Sequence, residues 1–264
     1  MPMSAQPAVL VTGASTGIGA TYADRFARRG HDLVLVARDV ARLTELAERL
    51  RAETGVTVDL LPADLTKPDD LAAVEARLLD DGRIGVLVNN AGTNLRGGFA
   101  DQTSDDVSGL IGLNVIAPAR LAAAVAPRFV AEGRGAIINI ASVVGLAPEF
   151  GATVYGATKA FMIFLSQGLQ LELGPRGVYV QAVLPAATRT AIWEKSGHDV
   201  DTLPGVMEVD ELVDAALVGF DRREPVTIPP LLDEGQWRSF DAARKAMIPG
   251  FAQSHAAERY RQAA

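Results

Sequence analysis

Ala8-Val9-Leu10-Val11-Thr12-Gly13-Ala14-Ser15-Thr16-Gly17-Ile18-Gly19 is the stretch on which the fold turns. A short apolar run, 8–12, meets a glycine-spaced loop, and a helical pattern over 17–29 opens on the last glycines of that loop. Strand, tight turn and helix in succession are the first half of a βαβ unit. Glycines in such a turn bring backbone N–H groups at a helix N-terminus within reach of a pyrophosphate. The spacing is GxxxGxG, distinct from the GxGxxG dinucleotide fingerprint, and the absence of GxxxxGK[ST] leaves an ATP or GTP P-loop unsupported. A glycine-rich turn that binds nothing is the competing reading, and the placement between strand and helix argues against it.

Outward from this unit the rhythm repeats. Further strands are expected at 32–37, 56–61, 85–89, 136–141 and 178–183, with a weaker one at 225–229. Helices are expected at 40–53, 68–80, 104–131, 153–173 and 209–221, with Gly30, Gly55, Gly82, Gly133 and Gly174 where C-caps belong. The runs 33–36 and 86–88 are apolar on both faces, as strands are when helices cover both sides of a parallel sheet. The fold class is therefore α/β: a Rossmann-like, doubly wound parallel sheet of about seven strands. No repeat or linker divides the chain, so one domain is expected over 1–264, with a core at 8–190, a lid at 191–207 and a helix, strand and docking tail at 208–264.

Composition narrows the chemistry. With 264 residues, 48% hydrophobic and 22% charged, the chain can bury a large core. It has no cysteine, which removes disulfides, thiolate nucleophiles and Cys-built metal sites, and His31, His198 and His255 are too scattered for a His-built one. No metal is expected. A net charge of −7 argues against nucleic acid or an anionic membrane surface as partner. Residues 1–7 lack a basic, apolar leader pattern and no run of 18 apolar residues occurs, so a cytoplasmic protein with a small-molecule partner is expected.

After the second strand stands Val36-Ala37-Arg38-Asp39, where Rossmann-type sites distinguish the two nicotinamide cofactors. If Ala37 ends the strand, Arg38 can pair with the 2′-phosphate of NADP and Asp39 caps the next helix. A register one residue later makes Asp39 a ribose ligand instead, which suits NAD. At the start of an apolar helix, Tyr155 and Lys159 share one face one turn apart, where the ammonium favours phenolate and suits Tyr155 to proton exchange. Ser142 lies thirteen residues earlier, just past a strand, at the edge where open α/β sheets bind ligands.

Together these residues resemble the short-chain dehydrogenase/reductase family from about Ala8 to Thr190. The resemblance rests on Thr12–Gly19, Asp64-Leu65, Asn89-Asn90-Ala91-Gly92, Asn114, Ser142, and Tyr155 with Lys159. It implies an NADP-dependent oxidoreductase interconverting a carbonyl and an alcohol. Tyr155 would be the general acid or base, and Ser142 would hydrogen-bond the reacting oxygen. Lys159 would hold the nicotinamide ribose and lower the Tyr155 pKa, and Asn114 would position a water of a proton relay. Gly13, Ser15, Thr16, Gly17, Ile18 and Gly19 would line the pyrophosphate; Asp64 and Leu65 would meet adenine; Asn89, Ala91 and Gly92 would border the adenosine and ribose. Pro185, Thr188 and Thr190 would adjoin the carboxamide, although Ala186 stands where the family commonly has glycine.

Ile192, Trp193, Leu203 and Met207 of the lid, with Leu95, Phe99, Leu146 and Phe150, point to a hydrophobic substrate. Arg96 and Arg189 read as solvated charges ahead of ligands for a substrate carboxylate, and His198 as a loop residue without a role. Apolar groups around most of the 153–173 helix imply a partner surface, met by a homodimer, while the final strand lacks the glycine-rich ending of many tetrameric relatives. Trp237, Phe240, Met247 and Phe251 suggest one amphipathic helix over 236–260 that docks on the core or a neighbour. A catalytically silent nucleotide sensor and a methyltransferase are the alternatives, and neither accounts for Ser142 together with Tyr155.

Overall fold

Strands without a polar face are stable only where both sides are covered, and that is the arrangement found. The computed structural model describes residues 6–190, 192–193 and 199–261. Strands β1 (Ala8–Thr12), β2 (Leu33–Ala37), β3 (Val58–Pro62), β4 (Ile84–Asn89), β5 (Ala136–Ile140), β6 (Tyr179–Val183) and β7 (Val226–Thr227) form one parallel sheet in the order β3-β2-β1-β4-β5-β6-β7. The helices are α1 (Gly17–Arg28), α2 (Val40–Thr54), α3 (Pro68–Asp80), α4 (Ser104–Ile111), α5 (Ala117–Glu132), α6 (Thr153–Leu173), α7 (Val209–Asp221) and α8 (Glu234–Ala246). Alternate strand residues serve opposite faces. Val9, Val11, Leu33 and Leu35 pack with Tyr22, Phe26, Leu43 and Leu217 of α1, α2 and α7. Leu10, Val34 and Val36 pack with Val74, Leu121 and Phe129 of α3 and α5. Each fully buried Leu or Phe contributes about 1.5–3 kcal/mol, against about 0–1 for an exposed ion pair, so the two apolar layers hold the sheet.

The expected elements are present, with three corrections. The helix expected over 104–131 is not continuous: Gly112–Ile116 forms a π turn between α4 and α5, with the Ala117 N–H bonded to the Gly112 carbonyl. Pro118 has no N–H to return to the Asn114 carbonyl four residues earlier, which breaks the α ladder there. At the helix ends, Gly55 and Gly133 cap in left-handed backbone and Gly174 caps α6 in right-handed backbone, but Arg29 rather than Gly30 caps α1 and Asp81 rather than Gly82 caps α3. The segment Ser104–Glu132 is apolar and long enough to cross a membrane; it buries Leu110, Leu121, Val125 and Phe129 in the protein.

Residues up to Pro229 make one compact unit and those from Pro230 a second. In the second, the helix expected over 236–260 stops at Ala246, and Pro249 opens a short 3-10 turn at Ile248–Ala252. Trp237 and Phe240 stack at 5.6 Å within α8.

Candidate active site

The sheet order reverses between β1 and β4, and the loops leaving these two strands meet beyond their C-terminal ends. Thr12 and Asn90 lock them together. Thr12 Oγ1 accepts from the Asn90 and Ala91 N–H groups, both at 3.0 Å, and donates to the Val88 carbonyl at 3.2 Å. Asn90 Nδ2 donates to the carbonyls of Thr12 at 2.9 Å and Gly13 at 3.2 Å. Gly13 has φ +66°, and a Cβ there would stand 2.8 Å from Asn90 Nδ2; one on Gly19 would strike the Gly13 carbonyl. Gly13 and Gly19 are thus required by packing at the junction with Asn90 and Ala91, and Gly17 by its own left-handed backbone at φ +55°. Thr16 precedes α1 without a side-chain cap, so the N–H groups of its first turn, from Gly17, Ile18 and Gly19, have no side-chain acceptor from that position. Ser15 is half-buried in the same loop.

On the far side of β1, strand β2 ends at Ala37, and Asp39 accepts from the Arg42 N–H at 3.0 Å as the cap of α2. The register in which Asp39 is free for a ribose is not the one adopted. Arg38 is exposed, its nearest acid being Asp64 at 3.9 Å. The Asp64 carboxylate is also held by Thr66 N and Oγ1 at 3.1 and 2.7 Å, which keeps its pKa low against the opposing effect of burial. Leu65 is buried in the core.

Asn89 differs from expectation. Its Nδ2 donates to Asn139 Oδ1 at 3.0 Å and to the Pro118 carbonyl at 3.2 Å, and Asn139 Nδ2 donates to Ser166 Oγ at 2.9 Å. This ladder runs inside the protein from β4 through β5 to α6, so the Asn89 side chain faces the interior. Ala91 and Gly92 remain at the loop surface, half-buried and exposed.

Ser142, Tyr155 and Lys159 converge past the end of β5. Ser142 Oγ donates to the Pro185 carbonyl at 3.1 Å and accepts from the Val144 N–H at 3.3 Å. Burial pushes the Tyr155 phenol up to about 12, opposed only by its hydrogen bond with Ser142. Lys159 Nζ donates to the Ile140 carbonyl at 2.8 Å and stands 5.5 Å from the Tyr155 ring centre; burial lowers its pKa to about 8. The expected lowering of the phenol pKa by Lys159 is not found: loss of solvent raises it, and Ser142 supplies the opposing effect. At neutral pH the site holds a neutral phenol beside an ammonium.

Asn114 sits in the π turn, 2% exposed. Its Oδ1 accepts from the Thr93 N–H at 3.0 Å, and its Nδ2 donates to the Thr93 carbonyl at 2.9 Å and to Thr158 Oγ1 at 3.2 Å. A Cβ on Gly92 would lie 3.3 Å from Asn114 Oδ1 and 3.8 Å from Lys159 Nζ, so these three residues border one space.

Pro185 joins the site through its carbonyl, which also accepts from Val143 N–H at 3.0 Å. Thr188 is buried and bridges in parallel to Met207, and Thr190 lies against Gly17. Trp193 Nε1 donates to the Thr188 carbonyl at 2.7 Å. Arg189 pairs with Asp201 at 2.5 Å and Glu208 at 2.8 Å, both exposed acids. Arg96, Phe99 and Phe150 are exposed, Leu95, Leu146 and Leu203 half-buried; His198 lies outside the described residues. Among the described residues no cluster of His, Asp or Glu could hold a metal.

The sequence pattern of the short chain dehydrogenases matches residues 7–201, the span that carries this geometry. The chain belongs to the short-chain dehydrogenase family. This short-chain dehydrogenase is similar over its fold to a short-chain dehydrogenase from Sphingobium yanoikuyae in complex with NADPH, at 67% identity and TM-score 0.95, covering 97% of this chain and 100% of that one. It is also similar to the bulky-bulky ketone specific alcohol dehydrogenase from Comamonas testosteroni, at 60% identity and TM-score 0.91 over 97% and 99% of the two chains. Over 187 residues it is 34% identical to very-long-chain 3-oxoacyl-CoA reductase-B of Danio rerio, a match to 69% of this short-chain dehydrogenase that spans 60% of that relative's length.

Proposed function

We propose that this chain is an NADPH-dependent oxidoreductase of the cytoplasm that interconverts a hydrophobic ketone or aldehyde and its alcohol. The observation that carries the reading is the convergence of the buried Ser142 hydroxyl and the Tyr155 phenol with the buried Lys159 ammonium, which stands 5.5 Å from the Tyr155 ring centre. The dinucleotide fits the residues present. Gly17, Ile18 and Gly19 offer the N–H groups of the first turn of α1 to the pyrophosphate, and the tight junction of Gly13 and Gly19 with Asn90 and Ala91 keeps that turn in place. Beside it, the small Ala37 leaves room and the exposed Arg38 offers a planar fork to a 2′-phosphate. The NADPH in the Sphingobium relative supports the same choice.

When bound, the reduced nicotinamide supplies a hydride to the carbonyl carbon. Tyr155 gives its proton to the carbonyl oxygen, and the neutral phenol present at neutral pH is the form that reduction consumes. Ser142 turns its hydroxyl from Pro185 to the same oxygen and stabilises the developing charge. Lys159 keeps a positive charge behind the phenol, where it favours the phenolate left after transfer. Asn114 borders the space beside Lys159 and Gly92 in which a relay water returns the proton. Leu95, Leu146, Trp193 and Met207 give the substrate side its apolar character, consistent with the bulky ketones of the Comamonas relative.

On the outer face of α6, Phe164 and Leu171 stand two turns apart, both 77% exposed, beside Phe161. We assign this stripe to a second copy of the chain. The deciding experiment on activity is a panel of ketones of increasing bulk assayed with NADPH and NADH, with Tyr155→Phe alongside. Reduction by the wild type and its loss in the variant support the mechanism; equal rates in both overturn it.

A further inference from the structure

Between Tyr155 and Lys159 stands Thr158, 3% exposed, with its hydroxyl bonded on both sides. Thr158 Oγ1 donates to the Tyr155 carbonyl at 2.7 Å, one turn back along α6, and accepts from Asn114 Nδ2 at 3.2 Å. The other bonds of Asn114 go to one residue: its other N–H is given to the Thr93 carbonyl and its Oδ1 accepts from the Thr93 N–H. A single hydroxyl therefore connects three segments that come from distant parts of the chain. These are the loop after β4 at Thr93, the π turn at Asn114, and the first turn of α6 that carries Tyr155.

The π turn gives this link its weight. Gly112–Ile116 has lost the regular ladder, and Pro118 supplies no N–H to it, so the turn is not held in place by its own backbone alone. Its one buried side chain, Asn114, fixes it from the side. Without the Thr158 hydroxyl, one Asn114 N–H would be buried without an acceptor, an arrangement that drives rotation of the amide or entry of water.

We propose that Thr158 is a positioning residue: its hydroxyl holds the Tyr155 turn of α6 in register with Asn114, and through it with the border of the space beside Lys159. A β-branched hydroxyl suits the task, because its restricted side-chain torsion keeps the oxygen toward the two partners. The inference rests on the catalytic reading of Tyr155 given above.

The test compares Thr158→Val, which keeps the shape and removes the hydroxyl, with Thr158→Ser, which keeps the hydroxyl. Full-length variants are assayed with NADPH and the ketone that the wild type reduces fastest, NADPH affinity is read by fluorescence, and amide hydrogen exchange is followed over 91–95, 111–118 and 152–160. The valine variant is expected to lose about tenfold in kcat with KM for NADPH and NADPH affinity within about twofold. It is expected to exchange faster over 111–118, with serine restoring both properties. A purely structural residue would lower NADPH affinity and protection throughout.

Native kcat in the valine variant, unchanged exchange over 111–118, or a serine variant as impaired as valine overturns the proposal. If valine does not fold, Thr158→Cys, of similar size and with only a weak donor, takes its place. The Tyr155→Phe variant is measured in parallel: retained activity there overturns the catalytic reading, whereas the exchange comparison still decides the link between Thr158 and Asn114.

Discussion

The Lys159 ammonium is bonded to the Ile140 carbonyl oxygen at 2.8 Å, the last carbonyl of β5, and is 7% exposed. One carbonyl replaces only part of the water that a free ammonium would hold, so burial lowers the Lys159 pKa to about 8 from 10.5. Keeping this cation buried thus comes at a cost to the fold.

That cost has a pH signature. Between about 8 and 10.5 the unfolded chain holds the Lys159 proton and the native chain does not, so this residue makes stability rise with pH across that window. Tyr155 acts in the opposite direction from 10 to about 12, where only the native chain keeps the proton. Urea melts of wild type and Lys159→Met at pH 7.5 and 9.5 are expected to show the wild type gaining on the variant at the higher pH. Parallel changes would refute this account of Lys159.

Ser142→Ala removes the hydroxyl that faces Tyr155 and leaves the Pro185 carbonyl without its Ser142 donor. Loss of one donor to a developing oxyanion typically lowers kcat about 10²–10³-fold. Steady-state rates with NADPH near saturation check this, and NADPH affinity is expected to stay within about threefold, since the proposed mechanism has Ser142 hold the reacting oxygen rather than the dinucleotide.

A methyl group at position 19 would collide with the Gly13 carbonyl and stand 2.5 Å from Asn90 Nδ2. Gly19→Ala is expected to cost about 1–3 kcal/mol, as overpacking does, and to abolish measurable NADPH binding. Gly82→Ala, where a Cβ meets open space, is the control and should melt as the wild type does. Thermal melts with and without NADPH read both effects.

Arg38→Ala tests the cofactor preference. The side chain is exposed and its one ion pair, to Asp64, is long at 3.9 Å, so stability should not change. Loss of a charge-assisted bond to the 2′-phosphate is worth about 1.5–3 kcal/mol, or roughly ten- to a hundredfold in NADPH affinity, with NADH affinity unaltered. Equal loss for both cofactors would place Arg38 elsewhere in the site.

Asp24, 5% exposed on α1, is bonded by Arg28 and Arg49 and paired with Arg25. Burial raises its pKa, but the three guanidinium groups prevail and hold it at about 2. Its contribution is complete above pH 3.8 and fades as pH falls toward 2, where the native carboxylate takes up its proton. Asp24→Asn is expected to lose about 2 kcal/mol at pH 7 and to narrow the gap to wild type under acid conditions, read by denaturant melts.

Much of this was legible in the chain. Apolar two-faced runs such as Leu33–Ala37 announce buried parallel strands, and the strand, loop and helix of residues 8–28 announce the ligand edge, because period and turn chemistry are local properties. The π turn was not legible, since its cause is spread over Gly112, the missing N–H of Pro118 and the tertiary partners of Asn114. Nor was the inward turn of Asn89, which depends on Asn139 being its register partner on the adjacent strand, fifty residues along the chain. Thr12 and Asn90 lay inside quoted motifs, yet their mutual bonds exist only where β1 and β4 become neighbours.

From its sequence alone, this protein's fold class and the position of its glycine loop are determined, and Ser142, Tyr155 and Lys159 are singled out as candidates, because each depends on residue type and spacing along one chain. Tertiary structure decides how those groups are charged and held. Only the enclosing fold removes the solvent that would otherwise set the Tyr155 and Lys159 proton affinities, and only it carries Asn114 to Thr158 across 44 residues of chain.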